Sequence, residues 1–169
     1  NENEYLFAAR FEVEYINSEF GLGLPELDNY ETIAGGTGAG PGFNGCDAVQ
    51  SHMTNTRMTD PEILEKRFPV RLEDFAIRHD SGGKGQYQGG NGAFRRMRFL
   101  SPVTVTTLCS HRIVPPFGVD GGDDGAIGIN WAEMPDGTRV DLEGNDEIDL
   151  PIDAVFCMAT PGGGGWGKI

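Results

Sequence analysis

The chain has few of the features that would make its role obvious. None of its 169 residues fall in an uninterrupted apolar run near the ~20 needed to cross a bilayer. Basic residues are scarce, 13 Lys and Arg against 26 Asp and Glu, and the formal net charge is -13. That balance points away from nucleic acid, whose phosphates need a clustered basic surface. There are only three cysteines, Cys46, Cys109 and Cys157, far apart and odd in number, so no disulfide framework is expected. The acidic N-terminal residues lack the basic-then-apolar pattern of a leader, and a reducing cytoplasm is the default expectation. No Gly-Lys-Ser or Gly-Lys-Thr follows any glycine cluster, so a Walker-type nucleotide loop is missing.

Glycine, in contrast, is abundant: 26 residues, with 10 prolines, in a chain that is otherwise ordinarily globular at 38% hydrophobic and 23% charged. The glycines cluster between apolar runs, which suggests tight turns and close backbone approaches rather than a linker. Charge is uneven as well. Residues 57–112 carry ten basic and six acidic groups, whereas residues 113–169 carry two basic and eleven acidic. A solvated acidic surface accounts for this, and so does a basic middle segment facing an anionic substrate or a partner protein. The length suits a single domain.

Along the chain, residues 5–16 end in an alternation of Phe11, Val13 and Tyr15 against Glu12 and Glu14, the mark of a half-buried strand. Residues 17–29 look like a connection, and CDAVQSHM, from Cys46, like a short helix. Thr59-Asp60-Pro61-Glu62 predicts a helix start with a side-chain cap, proline in the first turn and an acid at the positive end of the dipole. That helix should end near Arg67, before Pro69. From Val70 the pattern is β, with Val70/Leu72 and Phe75/Ile77 out of phase across Glu73-Asp74, as a bulge would produce. AFRRMRFL, VTVTTLCS, the pair IGINWAEM and TRVDL around the turn PDG, and AVFCMAT complete the strands. The expected fold is β-rich α+β, short antiparallel strands in a sheet or sandwich, with one or two short helices near residues 43–67.

Among the motifs, Gly40-Pro41-Gly42-Phe43-Asn44-Gly45 matches the dinucleotide fingerprint formally, but no βαβ succession continues it. Cys109-Ser110-His111 holds two ligand types without a second pair at zinc spacing, and a lone cysteine ending a β-run is ordinary core filling. The other glycine clusters suit strand turns and close packing better than anion binding. Arg95, Arg96 and Arg98 cannot all share one face of a strand. SHMTNTRMTDPE, residues 51–62, is the densest polar constellation. Its histidine can move protons near neutral pH. Asn, Thr and helix-start amides can hold a carboxylate or oxyanion, and its arginine can clamp an anion. Capping and turning of the chain explain the same residues equally well.

YETIAGGTGAGPGFNGCDAVQSHMTNTRMTDPE, SGGKGQYQGGNGAFRRMRFL, HRIVPPFGVDGG and ATPGGGGWG, in this order and spacing, resemble the hydantoinase B/5-oxoprolinase family. That family also includes a large subunit of acetone carboxylase. The resemblance covers residues 29–169 and implies a C-terminal domain, with residues 1–28 as a divergent N-terminal strand and connection. It implies ATP-dependent opening of a small cyclic amide. ATP would be bound by a hydantoinase A-like partner that phosphorylates the ring carbonyl, and the half resembled here would hydrolyse the activated species. Any divalent metal would be held by residues upstream of the matched part, so no metal ligand is carried over to this chain. No nucleic acid or membrane is implied, and homo-oligomerisation is left open.

The candidate catalytic residues are His52 as proton shuttle, Asn55 as orienter and Arg57 as anion clamp. Gly38, Gly40, Gly42, Thr54 and Asp60 are the candidate substrate-binding residues. Isolated, the chain is expected to be inactive. A non-catalytic docking module of the same assembly, or part of a carboxylase acting on small ketones, are the competing expectations.

Overall fold

The computed structural model describes residues 4–11, 27–51 and 57–169, with side chains from Asn29 onward. Its strands are β1 (Glu4–Phe11), β2 (Leu27–Ala34), β3 (Val70–Arg78), β4 (Gly92–Phe99), β5 (Val103–Leu108), β6 (Ile129–Glu133), β7 (Arg139–Leu142), β8 (Asn145–Leu150) and β9 (Val155–Ala159). The single helix among the described residues is α1 (Pro61–Arg67). All ladders are antiparallel, in a four-stranded sheet ordered β2-β1-β5-β8 and a five-stranded sheet ordered β3-β4-β9-β6-β7. The expected β-rich α+β class is what the chain adopts.

One core joins the two layers. Ile33, Val103, Val105 and Leu150 from the first sheet meet Val70, Met97, Phe99, Phe156 and Met158 from the second, with Leu64 of α1 sealed in at 0% exposure. Strand β9 is buried at every position, as befits an apolar run in the middle of a sheet. Strand β5 alternates. Val103, Val105 and Thr107 point inward, while Thr104 and Thr106 donate to Asp149 and Glu147 of β8 at 2.7 and 3.1 Å.

Several local expectations are met. Asp60 caps α1, its Oδ1 accepting from the Glu62 amide at 3.0 Å, Pro61 opens the helix, and Phe68 leaves it in an extended conformation. The β3–β4 register shifts between Leu72 and Asp74, the bulge that the phase change demanded. The β6–β7 hairpin turns at Gly137, whose φ is +85°.

Others are corrected. Residues 46–51 form no helix. Asp47 and Ala48 make a turn with Ala48 at φ +45°, and Asp47 Oδ1 is taken by the Asn91 amide at 2.6 Å. A conformation held by contacts to a distant loop overrides the local helical pattern. Residues 27–29 belong to a strand, not a connection, and Asn145–Leu150 is a strand that sequence reading passed over. The alternation at Val13 and Tyr15 lies outside the described residues.

Beyond the sheets, four glycine-rich stretches (35–45, 81–92, 116–125 and 160–167) run side by side and hydrogen-bond through their backbones. The Gly90 amide donates to the Thr37 carbonyl at 2.9 Å, Gly163 to Gly90 at 2.8 Å, Gly83 to Gly163 at 2.8 Å, and Val119 to Gly165 at 2.9 Å. A Cβ on Gly163 would collide with the Thr37 carbonyl, and one on Gly90 with the Cys46 carbonyl. These clusters are glycine because backbones pack on backbones there.

Candidate functional site

The loop that follows β2 is built into the glycine layer. Its Gly36, Thr37, Ala39 and Gly45 amides donate to Pro161, Cys46, Gly164 and Gln88, at 2.8 to 3.0 Å. Gly40 and Phe43 exchange amide and carbonyl across a turn at 3.2 Å, with Gly42 at φ +93°. Six successive or near-successive amides are therefore occupied within the protein, and this loop does not fit the phosphates of a nucleotide. Gly38 packs against Gly163, and Gly42 is at the exposed tip.

Beside this loop opens a pocket of about 270 Å3, lined by Thr32, Ala34, Ala48, Val49, Gln50, Met58, Phe75 and Ala93. Gln50 is pinned by its Nε2, which donates to the Thr32 carbonyl at 3.1 Å. Phe75, on edge strand β3, leaves 46% of its surface open. Gln50 and Met58 bracket residues 51–57 in the chain. His52, Thr54 and Asn55 lie outside the described residues. Arg57 is exposed, and Asp60 is exposed with its carboxylate engaged as the helix cap.

A second cleft, more open and about 770 Å3, lies at the far side of the five-stranded sheet. His111, Arg112, Asn130 and Glu143 supply its polar lining, and Ile113, Val114, Ile127 and Ile129 its apolar one. Asn130 is fully buried and accepts from Arg112 Nη2 at 2.6 Å. Cys109 contributes its flank, with its thiol pushed up by burial and packed against the core. Sequence reasoning weighed Cys109-Ser110-His111 only as a metal triplet, and so missed this cleft. The usable signal was Ile113-Val114 before Pro115-Pro116, an apolar pair with no strand to bury it.

The three arginines of β4 divide as the strand period requires. Arg95 points inward to Glu31, while Arg96 and Arg98 share the outer face. Arg96 holds Glu133 with two parallel contacts of 2.9 Å, and Arg98 pairs with Glu73. Glu133 also accepts from Trp131 Nε1 at 3.1 Å, which, ahead of Arg96, holds its carboxyl below the usual range. Cys157 lies beneath this cluster, its thiol pushed up to about 12 by burial and then by Glu133. Among the described residues no group of three or more His, Cys, Asp or Glu is arranged to hold a metal, and no helix is long and apolar enough to cross a membrane.

Residues 15–169 match the Hydantoinase B/oxoprolinase family, and the chain belongs to it. It is 46% identical over 147 residues to the 5-oxoprolinase of Dictyostelium discoideum, covering 87% of this chain and 12% of that protein. It is 47% identical over 139 residues to 5-oxoprolinase 1 of Arabidopsis thaliana, covering 82% and 11%. The 5-oxoprolinase of Saccharomyces cerevisiae is 47% identical over 146 residues, covering 82% and 11%. The chain thus spans about an eighth of the length of the oxoprolinases it matches. Its fold is shared with the ATP-dependent caprolactamase of Pseudomonas jessenii, at TM-score 0.73 and 22% identity over 96% of this chain and 28% of that one. It is shared equally with acetone carboxylase, at 0.71 and 20% over 97% and 25%.

Proposed function

We propose that this chain is one domain of an ATP-dependent cyclic-amide hydrolase of 5-oxoprolinase type, which opens 5-oxoproline or a related lactam or imide after its carbonyl has been phosphorylated. Identity of 46–47% to proteins named 5-oxoprolinase is the observation that carries this reading. ATP belongs to a hydantoinase A-like partner half. This chain has no Walker-type loop, and its glycine-rich loop spends its amides internally. Any divalent metal is held by residues outside this chain, and the assembly works in the cytoplasm.

Within that division of labour, the pocket between Gln50 and Met58 receives the activated ring. Its apolar wall of Phe75, Ala93 and Ala34 suits a ring's methylenes. Segment 51–57, tethered at both ends to this pocket, supplies the polar chemistry. His52 takes the proton from the water that adds to the phosphorylated ring carbon and returns it to the ring nitrogen as the C–N bond breaks. Asn55 and Thr54 orient the tetrahedral adduct, and Arg57 clamps the phosphoryl group that leaves as phosphate. Gly38, Gly40 and Gly42 let the backbone approach, and Asp60 sets the helix start beside it. Alone, the chain binds without turning over. The test is His52→Ala in the full-length enzyme, with ATP-dependent ring opening as readout. Turnover should fall by about 100-fold or more, and an unchanged rate would remove His52 from the mechanism.

A second reading, a non-catalytic docking module, is favoured by one observation. Phe75 and Ile77 are 46% and 36% exposed on edge strand β3. Arg96 and Arg98 are paired with carboxylates of the same sheet, so an apolar contact carries this reading better than a basic one. Ile77→Lys separates the two: lost assembly with the partner half supports docking. The likeness to acetone carboxylase is one of fold, and carries no reaction to this chain.

A further inference from the structure

The 770 Å3 cleft has no part in the proposed ring opening, yet its polar floor is held by a chain of hydrogen bonds. Asn130, at 0% exposure, donates from Nδ2 to the Glu143 carbonyl at 3.3 Å and to Cys109 Sγ at 3.5 Å, so its Oδ1 is fixed in place. That oxygen accepts from Arg112 Nη2 at 2.6 Å, while Nη1 donates to the Ser110 carbonyl at 3.2 Å. Gly128 lets the guanidinium lie flat, since a Cβ there would strike Arg112 Nη1. The arginine is thus preorganised from three sides.

Next to it, His111 sits at φ +53°, a backbone conformation unusual for a residue with a side chain. Its Nδ1 is 2.9 Å from the Val114 carbonyl. A carbonyl can only accept, so Nδ1 carries the proton, and in the neutral imidazole Nε2 is left as an acceptor. A fixed donor and a fixed acceptor on consecutive residues therefore border one cleft. Its aliphatic lip includes Ile113, 90% exposed, and Val114, 68% exposed.

We propose that this cleft is a second binding site for a small cyclic amide. The ligand's N–H would donate to His111 Nε2, its carbonyl would accept from Arg112, and its methylenes would lie on Ile113, Ile127 and Ile129. An amide edge pairs a donor with an acceptor, and so do these two residues; a simple carboxylate offers acceptors only. The inference rests on the cyclic-amide reading and adds to it a place where the unactivated ring waits or regulates, apart from the pocket at Met58.

The experiment uses this 169-residue chain, labelled on histidine and methionine methyl groups, titrated with 2-pyrrolidinone, hydantoin and, as control, acetate. His111 nitrogen resonances should report an Nδ1-protonated tautomer and shift with both amides but not with acetate. His111→Asn keeps a residue that tolerates positive φ while removing Nε2, and should weaken the apparent Kd about tenfold or more. Ile113→Ser, at a position 90% exposed, should leave the melting temperature nearly unchanged and weaken binding several-fold. Shifts confined to Met58 with His111 silent would overturn the second site and leave the functional proposal standing. Equal response to acetate would also overturn it. No response anywhere, from a chain whose methyl spectrum is dispersed, would count against both.

Discussion

Arg95 of β4 and Glu31 of β2 face each other between the two sheets, Nη1 to Oε2 at 2.6 Å, with neither residue more than 6% exposed. The approach is close but poorly aligned, and Arg95 Nε and Nη2 have no hydrogen-bond partner among the described residues. Burial lowers the arginine from its usual value, and Glu31 opposes that. A buried pair of this kind costs much when halved and little when replaced whole. Glu31→Gln should therefore destabilise the chain by about 3–5 kcal/mol. Arg95→Met combined with Glu31→Leu should restore most of that loss. Urea denaturation of the three proteins measures it; a Glu31→Gln protein as stable as the parent would show that the pair is not felt as charge.

The same pair shows why part of the fold could not be read in advance. Among the described side chains of β2 the buried positions are Asn29, Glu31, Ile33 and Ala34, while Tyr30 is 59% exposed, so at residues 29–31 polarity runs opposite to the usual rule. Only a partner on another strand, Arg95, makes an inward glutamate tolerable, and that partner lies 64 positions away. Strand β8 was hidden for a related reason. Asp149 and Glu147 read as a solvated loop until Thr104 and Thr106 of β5 are found donating to them. The helix at Pro61, the bulge after Leu72 and the Gly137 hairpin are set by local chemistry, and these were legible. The family was legible from its loops, but the His111 cleft was not. It is assembled from a loop, a hairpin and a buried asparagine that only the tertiary fold brings together.

Glycines should divide sharply by environment. At Gly137 the φ of +85° strains any side chain, but a Cβ would meet open space. Gly137→Ala should cost about 1 kcal/mol. At Gly163 a Cβ would meet the Thr37 carbonyl, and backbone cannot move aside as a side chain can. Gly163→Ala should cost more than about 4 kcal/mol or prevent folding. Thermal melts compare them, and similar melting points would refute the close-packed reading of the glycine layer.

Cys157 predicts a loss of stability in alkali. Its thiol is raised from the usual 9.0 to about 12 in the folded chain, so folding favours the protonated form. That contribution is complete below about pH 9, where the unfolded thiol is also protonated, and fades as pH rises toward about 12. Denaturation midpoints of the parent should fall more steeply across this window than those of Cys157→Ala. In a thiol-reagent assay near pH 8, exposed Cys46 should react at once, and Cys157 only on unfolding.

Asp60 serves two readings that one pair of variants can part. As a cap it accepts the Glu62 amide at 3.0 Å at the start of a helix whose Leu64 is sealed in the core. Asp60→Ala should lower the melting temperature of this chain by roughly 2–4 °C, the equivalent of about 1 kcal/mol. Asp60→Ser keeps an accepting oxygen and should hold it nearly unchanged. If the carboxylate also touches the substrate, Asp60→Ser in the full-length enzyme should raise KM although the helix is intact. An unchanged KM alongside the lowered melting of Asp60→Ala would confine Asp60 to the cap, because serine replaces the oxygen that the helix needs but not the charge that a ligand would feel.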